Sequence, residues 1–232
     1  MLSLFSPRPA LCCSLALLCL TLVAPHKASA SGTLEKVAKS GTLVLGHRDA
    51  SAPLSYVDDT TQKPLGYMLD ICYKIADALK RELKRPDLAI KHELVVSSTR
   101  ISSLVDGKID MECGSSTSTQ DRLKEVAFSI PPYLDLGRVL VRKDAGVNSI
   151  YDLAGKTITT TRGTSYENMV NELNANRSLH AKVLLAKDHE EAFENLVQGK
   201  AQAFVMKEVI LASLKAGSKN PDDYVLAREV LE

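Results

Sequence analysis

A chain of 232 residues, 45% hydrophobic and 25% charged, is long enough to bury one large core or two small ones. Its 29 basic and 28 acidic side chains leave a net charge of +1 with no basic block, which argues against nucleic acid as a partner. Tryptophan is absent, so a pocket here must read its ligand by polar contacts more than by stacking.

Residues 1–30 read as a cleaved signal peptide. Arg8 precedes an apolar run from Leu11 to Ala24, and Ala28-Ser29-Ala30 supplies small residues for cleavage between Ala30 and Ser31. The run is short for a membrane span, and Leu18 before Cys19 does not suit a lipoprotein signal. The protein is therefore expected in the periplasm. Cys12, Cys13 and Cys19 leave with the leader, and Cys72 and Cys113 remain. In an exported protein that pair either forms a disulfide or stays as two buried thiols, and both readings stand. Neither cysteine has the second ligand pair that a metal site needs, and no cofactor is expected.

A short amphipathic helix over Ser31–Lys39 leads into a strand at Leu43–Leu45 that ends at Gly46, so His47, Arg48 and Asp49 stand at its carboxyl end. Open α/β sheets bind ligands at that edge. A hairpin around Asp58–Lys63 precedes a helix over Met68–Lys84, with Leu69, Ile71, Cys72, Ile75, Ala76 and Leu79 as its apolar stripe. A second strand over Leu88–Val96 ends in Ser97-Ser98-Thr99-Arg100, and a helix over Ile101–Val105 follows. The third strand, Ile109–Cys113, opens the stretch MECGSSTSTQDRLKEVAFS. There, Ser115 to Thr119 form a hydroxyl-rich turn before a helix expected from Gln120 with Leu123, Val126 and Ala127 on one face. Hydroxyls, helix-start amides and Arg122 make this a seat for an anion, most simply a carboxylate. Three strand ends thus present Arg48, Ser97 with Arg100, and Ser115 with Arg122 to one edge, as a multi-carboxylate pocket requires.

After the loop containing Pro131-Pro132, the same plan recurs without a residue-level repeat. Strands are expected at Val139–Val141, Lys156–Thr161, Ala181–Leu185 and Ala203–Met206. Helices are expected at Tyr166–Asn176, Glu190–Gln198 and Val209–Leu214. Gly163-Thr164-Ser165 opens one helix as a second anion or amide seat, Asp188-His189 follows a strand, and a polar loop closes the chain.

Four stretches in this order, Leu43 to Tyr56, GKIDMECGSSTSTQDRLKEVAFS, SIYDLAGKTITTTRGTS and AKDHEEAFENLVQGKAQAFVM, resemble the bacterial extracellular solute-binding proteins of family 3, which serve polar-amino-acid ABC transporters. GHR, SSTR, ECGSS and AKDH look most like the glutamate/aspartate-binding branch. The resemblance implies the α/β, two-lobe periplasmic-binding-protein fold (type II), with lobe 1 over residues 31–136, lobe 2 over residues 137–232 and the ligand between them. It places Ser115, Thr117 and Arg122 on the ligand's α-carboxylate. Arg48, Ser97, Arg100 and His189 fall on the acidic side chain, and Thr164 and Ser165 are second-lobe contacts. It also implies a monomer that captures a small acidic solute, glutamate or aspartate, by lobe closure and delivers it to an inner-membrane ABC permease. No ATP-binding GxxxxGK[ST] loop is present, so the chain is not the transporter's ATPase.

Two departures from the family pattern stand out. Lys207 occupies the position where the family places an aspartate against the ligand's α-ammonium, which points to a di- or tricarboxylate without an amine as the alternative ligand. Glu208 next to it would serve only with a shifted strand end, because neighbouring strand residues face opposite sides. The chain also stops at VLAREVLE, where the family continues back to the first lobe, so C-terminal elements are expected to be missing. A truncated, non-binding remnant is the reading this raises. The fold class includes dehydratases as well, with His189 and Glu208 as a conceivable acid–base pair. Without a nucleophile elbow, metal cluster or paired carboxylates, binding and not catalysis is expected.

Overall fold

The computed structural model describes residues 30–231. The expected signal peptide, apart from Ala30, lies outside these residues. Helix α1 (Ala30–Ser40) leads into β1 (Thr42–His47), and short strands β2 (Ala50–Ser51), β3 (Ser55–Val57) and β4 (Pro64–Leu65) precede α2 (Tyr67–Glu82). Then come β5 (Ala89–Leu94), α3 (Arg100–Val105) and β6 (Met111–Glu112). β5 and β6 flank β1 in a parallel three-stranded sheet, and β2, β3 and β4 form a small antiparallel sheet beside it. The turn between β3 and β4 is the hairpin expected around Asp58–Lys63. Val37, Leu43, Leu45, Leu69, Cys72, Ala76, Leu88 and Cys113 form the core of this half. Ile75, expected in the buried stripe of α2, is 39% exposed, and Leu34 of α1 is 45% exposed. The sheet is only three strands wide, so it covers a narrower stripe of each helix than the apolar pattern offers.

The second half begins with β7 (Gly137–Arg142) and β8 (Thr157–Thr161), then α4 (Ser165–Asn176), β9 (Lys182–Ala186), α5 (His189–Val197), β10 (Ala203–Lys207) and α6 (Glu208–Gly217). A last strand, β11 (Tyr224–Leu226), falls where the sequence suggested only a polar loop. It is three residues long and pairs antiparallel with β7, a tertiary contact that its local pattern does not announce. The sheet order is β11-β7-β10-β8-β9. β8, TITTT, is sequestered between β10 and β9, which suits its β-branched residues. Its hydroxyls are satisfied across the sheet: Thr159 donates to the Leu184 carbonyl at 3.0 Å and Thr160 to the Val205 carbonyl at 2.9 Å. Residues on both faces, among them Leu140, Ile158, Leu196, Phe204 and Leu211, build the larger core.

Cys72 of α2 and Cys113 after β6 form a disulfide that closes a loop of 41 residues. This resolves the choice the sequence left open. It ties the hydroxyl-rich turn to the helix that backs the small sheet.

Candidate functional site

The turn after β6 does not lead into a helix. Only a 3-10 turn, Arg122–Lys124, follows, and Leu123 is 48% exposed. Leu123 and Ala127 of the expected apolar face are exposed and only Val126 is half-buried, so little repays the ordering of a longer helix. No helix start is present there to supply the anion seat that the sequence suggested, and what the turn offers is its side chains, the hydroxyls and Arg122.

Arg48 follows β1 and is fully buried, and its three guanidinium nitrogens make no hydrogen bond with any described residue. Burial pushes its pKa down, while Glu112, Asp49 and Asp188 pull it up. Arg100, at the first turn of α3, is 2% exposed and is held by Ser116 Oγ and the Ser97 carbonyl. Burial lowers its pKa to about 9, against the opposing pull of Glu112. Arg122 is half-buried and donates to the Thr117 carbonyl at 2.8 Å. The loops after β1, β5 and β6 thus bring Arg48 and Arg122 within electrostatic range of Arg100.

The larger sheet meets them from the other side. The Gly163 carbonyl accepts from Arg122 Nη2 at 3.1 Å and from Arg100 Nη2 at 3.4 Å, and Ser165 Oγ donates to Thr117 Oγ1 at 3.4 Å. Leu54, from the loop between β2 and β3, is buried in the larger core. The two halves are closed on each other. His189, at the start of α5, is buried with Nδ1 2.7 Å from Thr161 Oγ1. Desolvation first, and then Arg48, Arg100 and Lys207, drive its pKa well below the ordinary value, so it is a neutral imidazole.

Of the second-half residues expected at the site, Thr164 is spent on structure: its hydroxyl donates to the Thr161 carbonyl at 2.7 Å and accepts from the Glu167 amide at 3.3 Å as the cap of α4. The amide of Gly163 donates to Glu167 Oε2 at 2.7 Å, so the protein's own carboxylate fills the seat expected there. Ser115 Oγ lies 3.5 Å from Ser51 Oγ, and the buried Ser97 hydroxyl is unpartnered among the described residues. Lys207 closes β10 within electrostatic range of Arg100, Arg122 and His189. Glu208 turns away to Arg138 at 2.9 Å, so His189 and Glu208 form no acid–base pair. Sequence reasoning missed Glu112, the one acid among the described residues whose charge reaches all three arginines. Its place in β6, directly before Cys113-Gly114-Ser115, was the available signal.

Two sheet-based halves closing over a strip of buried cations define a two-lobe α/β solute-binding fold, type II among periplasmic binding proteins. Residues 43–217 match the model for bacterial extracellular solute-binding proteins, family 3, and the chain belongs to that family. It is 41% identical over 196 residues to the L-glutamate/L-aspartate-binding protein of Pseudomonas aeruginosa, covering 84% of this chain and 65% of the relative. It is 38% identical over 196 residues, with the same coverage, to the glutamate/aspartate import solute-binding protein of Escherichia coli K12. The chain thus spans 65% of the length of these relatives. Among solved structures it is similar to a truncated, arginine-bound ArgBP from T. maritima, with a TM-score of 0.72, 29% identity, and coverage of 85% of this chain and 87% of that one. An ancestral amino acid-binding protein described as a precursor of cyclohexadienyl dehydratase matches with a TM-score of 0.68 and 28% identity, over 84% of this chain and 80% of that one.

Proposed function

We propose that this chain is the solute-binding component of an ABC importer and captures a small acidic solute between its two lobes without turning it over. The lobes are assigned to residues 31–136 and 137–232. The observation that carries the reading is the Arg48 guanidinium, buried between the halves with no hydrogen-bond partner among the described residues. A buried cation with unmet donors is costly unless an anion satisfies it. Arg100 and Arg122 beside it supply the planar, bidentate donors that carboxylates fit. The relatives named for glutamate and aspartate point to acidic amino acids as the ligand class.

In this reading Arg122, Ser115 and Thr117 hold one carboxylate, and Arg48, Arg100 and Ser97 hold the other. His189 and Ser165 close from the second lobe, Thr164 holds the turn before Ser165 as the cap of α4, and Lys207 contributes from the end of β10. The protein acts as a monomer in the periplasm, exported by its signal peptide, and hands its ligand to an inner-membrane permease. Thermal unfolding of the chain with and without L-glutamate, L-aspartate, 2-oxoglutarate and succinate tests it. Bound ligand raises stability by mass action. A dose-dependent rise in Tm without product formation supports binding. A cooperative transition that none of the four shifts overturns the acidic-solute reading, and turnover of a ligand overturns the non-catalytic one.

A further inference from the structure

We propose that Leu54 is a positioning residue for closure of the cleft: an apolar pivot that keeps the first half seated in the core of the second, so that the cleft shuts in one register. This pivot deepens the solute-capture reading, on which it rests, because it guides the closing motion and touches no solute.

Leu54 lies between β2 and β3, in the first half, and is 5% exposed. The core that buries it is the larger one, whose other buried members all come from residues 139–231. Met68, in the first turn of α2, is the one partly buried side chain of the first half packed against that core among the described residues. The first half grips Leu54 by its backbone. The Leu54 amide donates to the Ser51 carbonyl at 2.9 Å, and the Leu54 carbonyl accepts from the Met68 amide at 2.9 Å. The Pro53 carbonyl accepts from the Tyr67 amide at 3.1 Å. Gly66 lets α2 start this close: its φ is +130°, and a Cβ there would sit 2.5 Å from the Leu54 carbonyl oxygen. The backbone of Leu54 is thus fixed to one half while its side chain is buried in the other.

Among the described residues the chain passes from the elements of the first half to those of the second once, between β6 and β7. That passage is fastened on both sides. Tyr67 donates from its hydroxyl to the Pro132 carbonyl at 3.1 Å and sets its ring edge-on to Tyr133, with centroids 6.4 Å apart. On the second half, the Leu136 carbonyl accepts from the Glu208 amide at 2.9 Å and Asp135 Oδ2 from the Val209 amide at 3.3 Å. Leu134, between these fastenings, is 84% exposed. A single covalent passage bends and twists about several bonds and sets no axis by itself. Leu54 in the larger core is a second point of attachment, and Tyr67 spans the two, with its amide on Pro53 and its hydroxyl on Pro132. Two points define one axis, about which Gly163 returns to Arg122 in register. A path set in advance lowers the ordering cost of closure.

Limited chymotrypsin digestion, small-angle scattering and isothermal titration with L-glutamate test this on the full chain, Leu54→Ala, Leu54→Met and Leu196→Ala. Leu196 of α5 is fully buried in the same core, so its truncation reports the loss of core packing alone. Without ligand, Leu54→Ala is expected to raise cleavage after Tyr133 or Leu134 roughly fivefold or more, because cleavage follows the population of opened forms. It should also enlarge the radius of gyration and weaken L-glutamate by a factor of roughly five or more. Leu54→Met refills the site and returns all three readings toward those of the unsubstituted chain. Leu196→Ala lowers Tm and leaves cleavage at the passage and the radius unchanged. Leu54→Val, a smaller truncation, takes the place of the alanine variant if that one does not fold. Equal cleavage in the Leu54 and Leu196 truncations, or unchanged cleavage and radius on truncating Leu54, overturns the pivot and leaves Leu54 as core filling. Absence of L-glutamate binding in every protein counts against the acidic-solute reading, while cleavage and scattering without ligand still decide the pivot.

Discussion

Arg122 donates from Nη2 to the carbonyl oxygen of Gly163 at 3.1 Å, a hydrogen bond that runs from the half built on the small sheet to the half built on the large one. Gly163 has φ of +74°, and a Cβ there would sit 2.5 Å from the Cα of Ser98. Backbone meets backbone at this point, and only glycine fits both the left-handed conformation and the close approach. Gly163→Ala is therefore expected to hold the halves apart. Affinity for an acidic ligand should fall at least tenfold, while stability without ligand changes by only about 1–2 kcal/mol, the cost of a left-handed alanine. Small-angle scattering should show no compaction on adding ligand. Unchanged affinity would mean that closure over Gly163 is not how the site forms.

Arg122 itself is half-buried and bridges the Thr117 and Gly163 carbonyls. Arg122→Gln removes a charge from the site and leaves the buried cores untouched. Loss of charge-assisted hydrogen bonds of about 1.5–3 kcal/mol predicts roughly 10- to 150-fold weaker binding by titration calorimetry. The melting temperature without ligand should stay within a few degrees. A large drop in that temperature would assign Arg122 to the fold and not to the ligand.

Arg48 predicts opposite signs for stability and function. Its guanidinium is buried without hydrogen bonds, and the buried Oε1 of Glu112 is likewise unpartnered among the described residues. Replacing both charges together, as Arg48→Met with Glu112→Gln, avoids leaving either one alone. Exchange of buried charges for neutral groups of similar volume is commonly neutral or stabilising by about 1–4 kcal/mol. The double variant should thus melt at or above the temperature of the unsubstituted chain and lose the ligand-induced shift. A double variant that melts lower yet still binds would show that Arg48 is structural.

The elements of the second half were largely legible because strand and helix signals there are local. Ser149 caps the turn at Ile150–Leu153 with a full capping box, and Asp188 caps α5, as such residues do before a helix. The helix expected from Gln120 failed for a tertiary reason. Leu123, Val126 and Ala127 have helical spacing, but only Val126 is half-buried and the other two face solvent, which spacing alone cannot reveal. β11 was hidden for the converse reason, since its pairing with β7 is not written in its own residues. At the site, the arginines were legible as strand-end cations, but the spending of Thr164 on a cap and the role of Glu112 depend on how loops from both halves meet.

The Cys72–Cys113 disulfide anchors the turn that carries Ser115 and Thr117 to α2 and closes a loop of 41 residues. Chain-entropy arguments give about 4 kcal/mol for a loop of that size, with measured values often lower. Cys72→Ala with Cys113→Ala, or reduction by dithiothreitol, should lower stability by roughly 2–4 kcal/mol in denaturant unfolding. Reduction of the double variant should have no further effect. Equal stability of oxidised and reduced protein would show that the bond adds nothing to the packing of Cys113 against α2.

His189 gives the fold a pH dependence with a definite sign. It is buried and neutral, pushed well below its ordinary 6.5 by desolvation and by Arg48, Arg100 and Lys207. The unfolded chain takes up a proton on this imidazole near 6.5, whereas the folded chain resists it to much lower pH. The contribution to stability is therefore complete above about pH 6.5 and is lost as pH falls from there toward the folded-state pKa, at up to about 1.4 kcal/mol per unit. His189→Gln, which keeps a hydrogen-bonding group beside Thr161, should flatten the fall in stability between pH 7 and pH 5. A saturating dicarboxylate should also shallow the slope in the unsubstituted chain, because an anion beside the ring offsets the three cations that disfavour its protonation. Parallel pH profiles for the two proteins would show that His189 is as readily protonated in the fold as out of it, and the closed, cation-lined site described here could not then surround it.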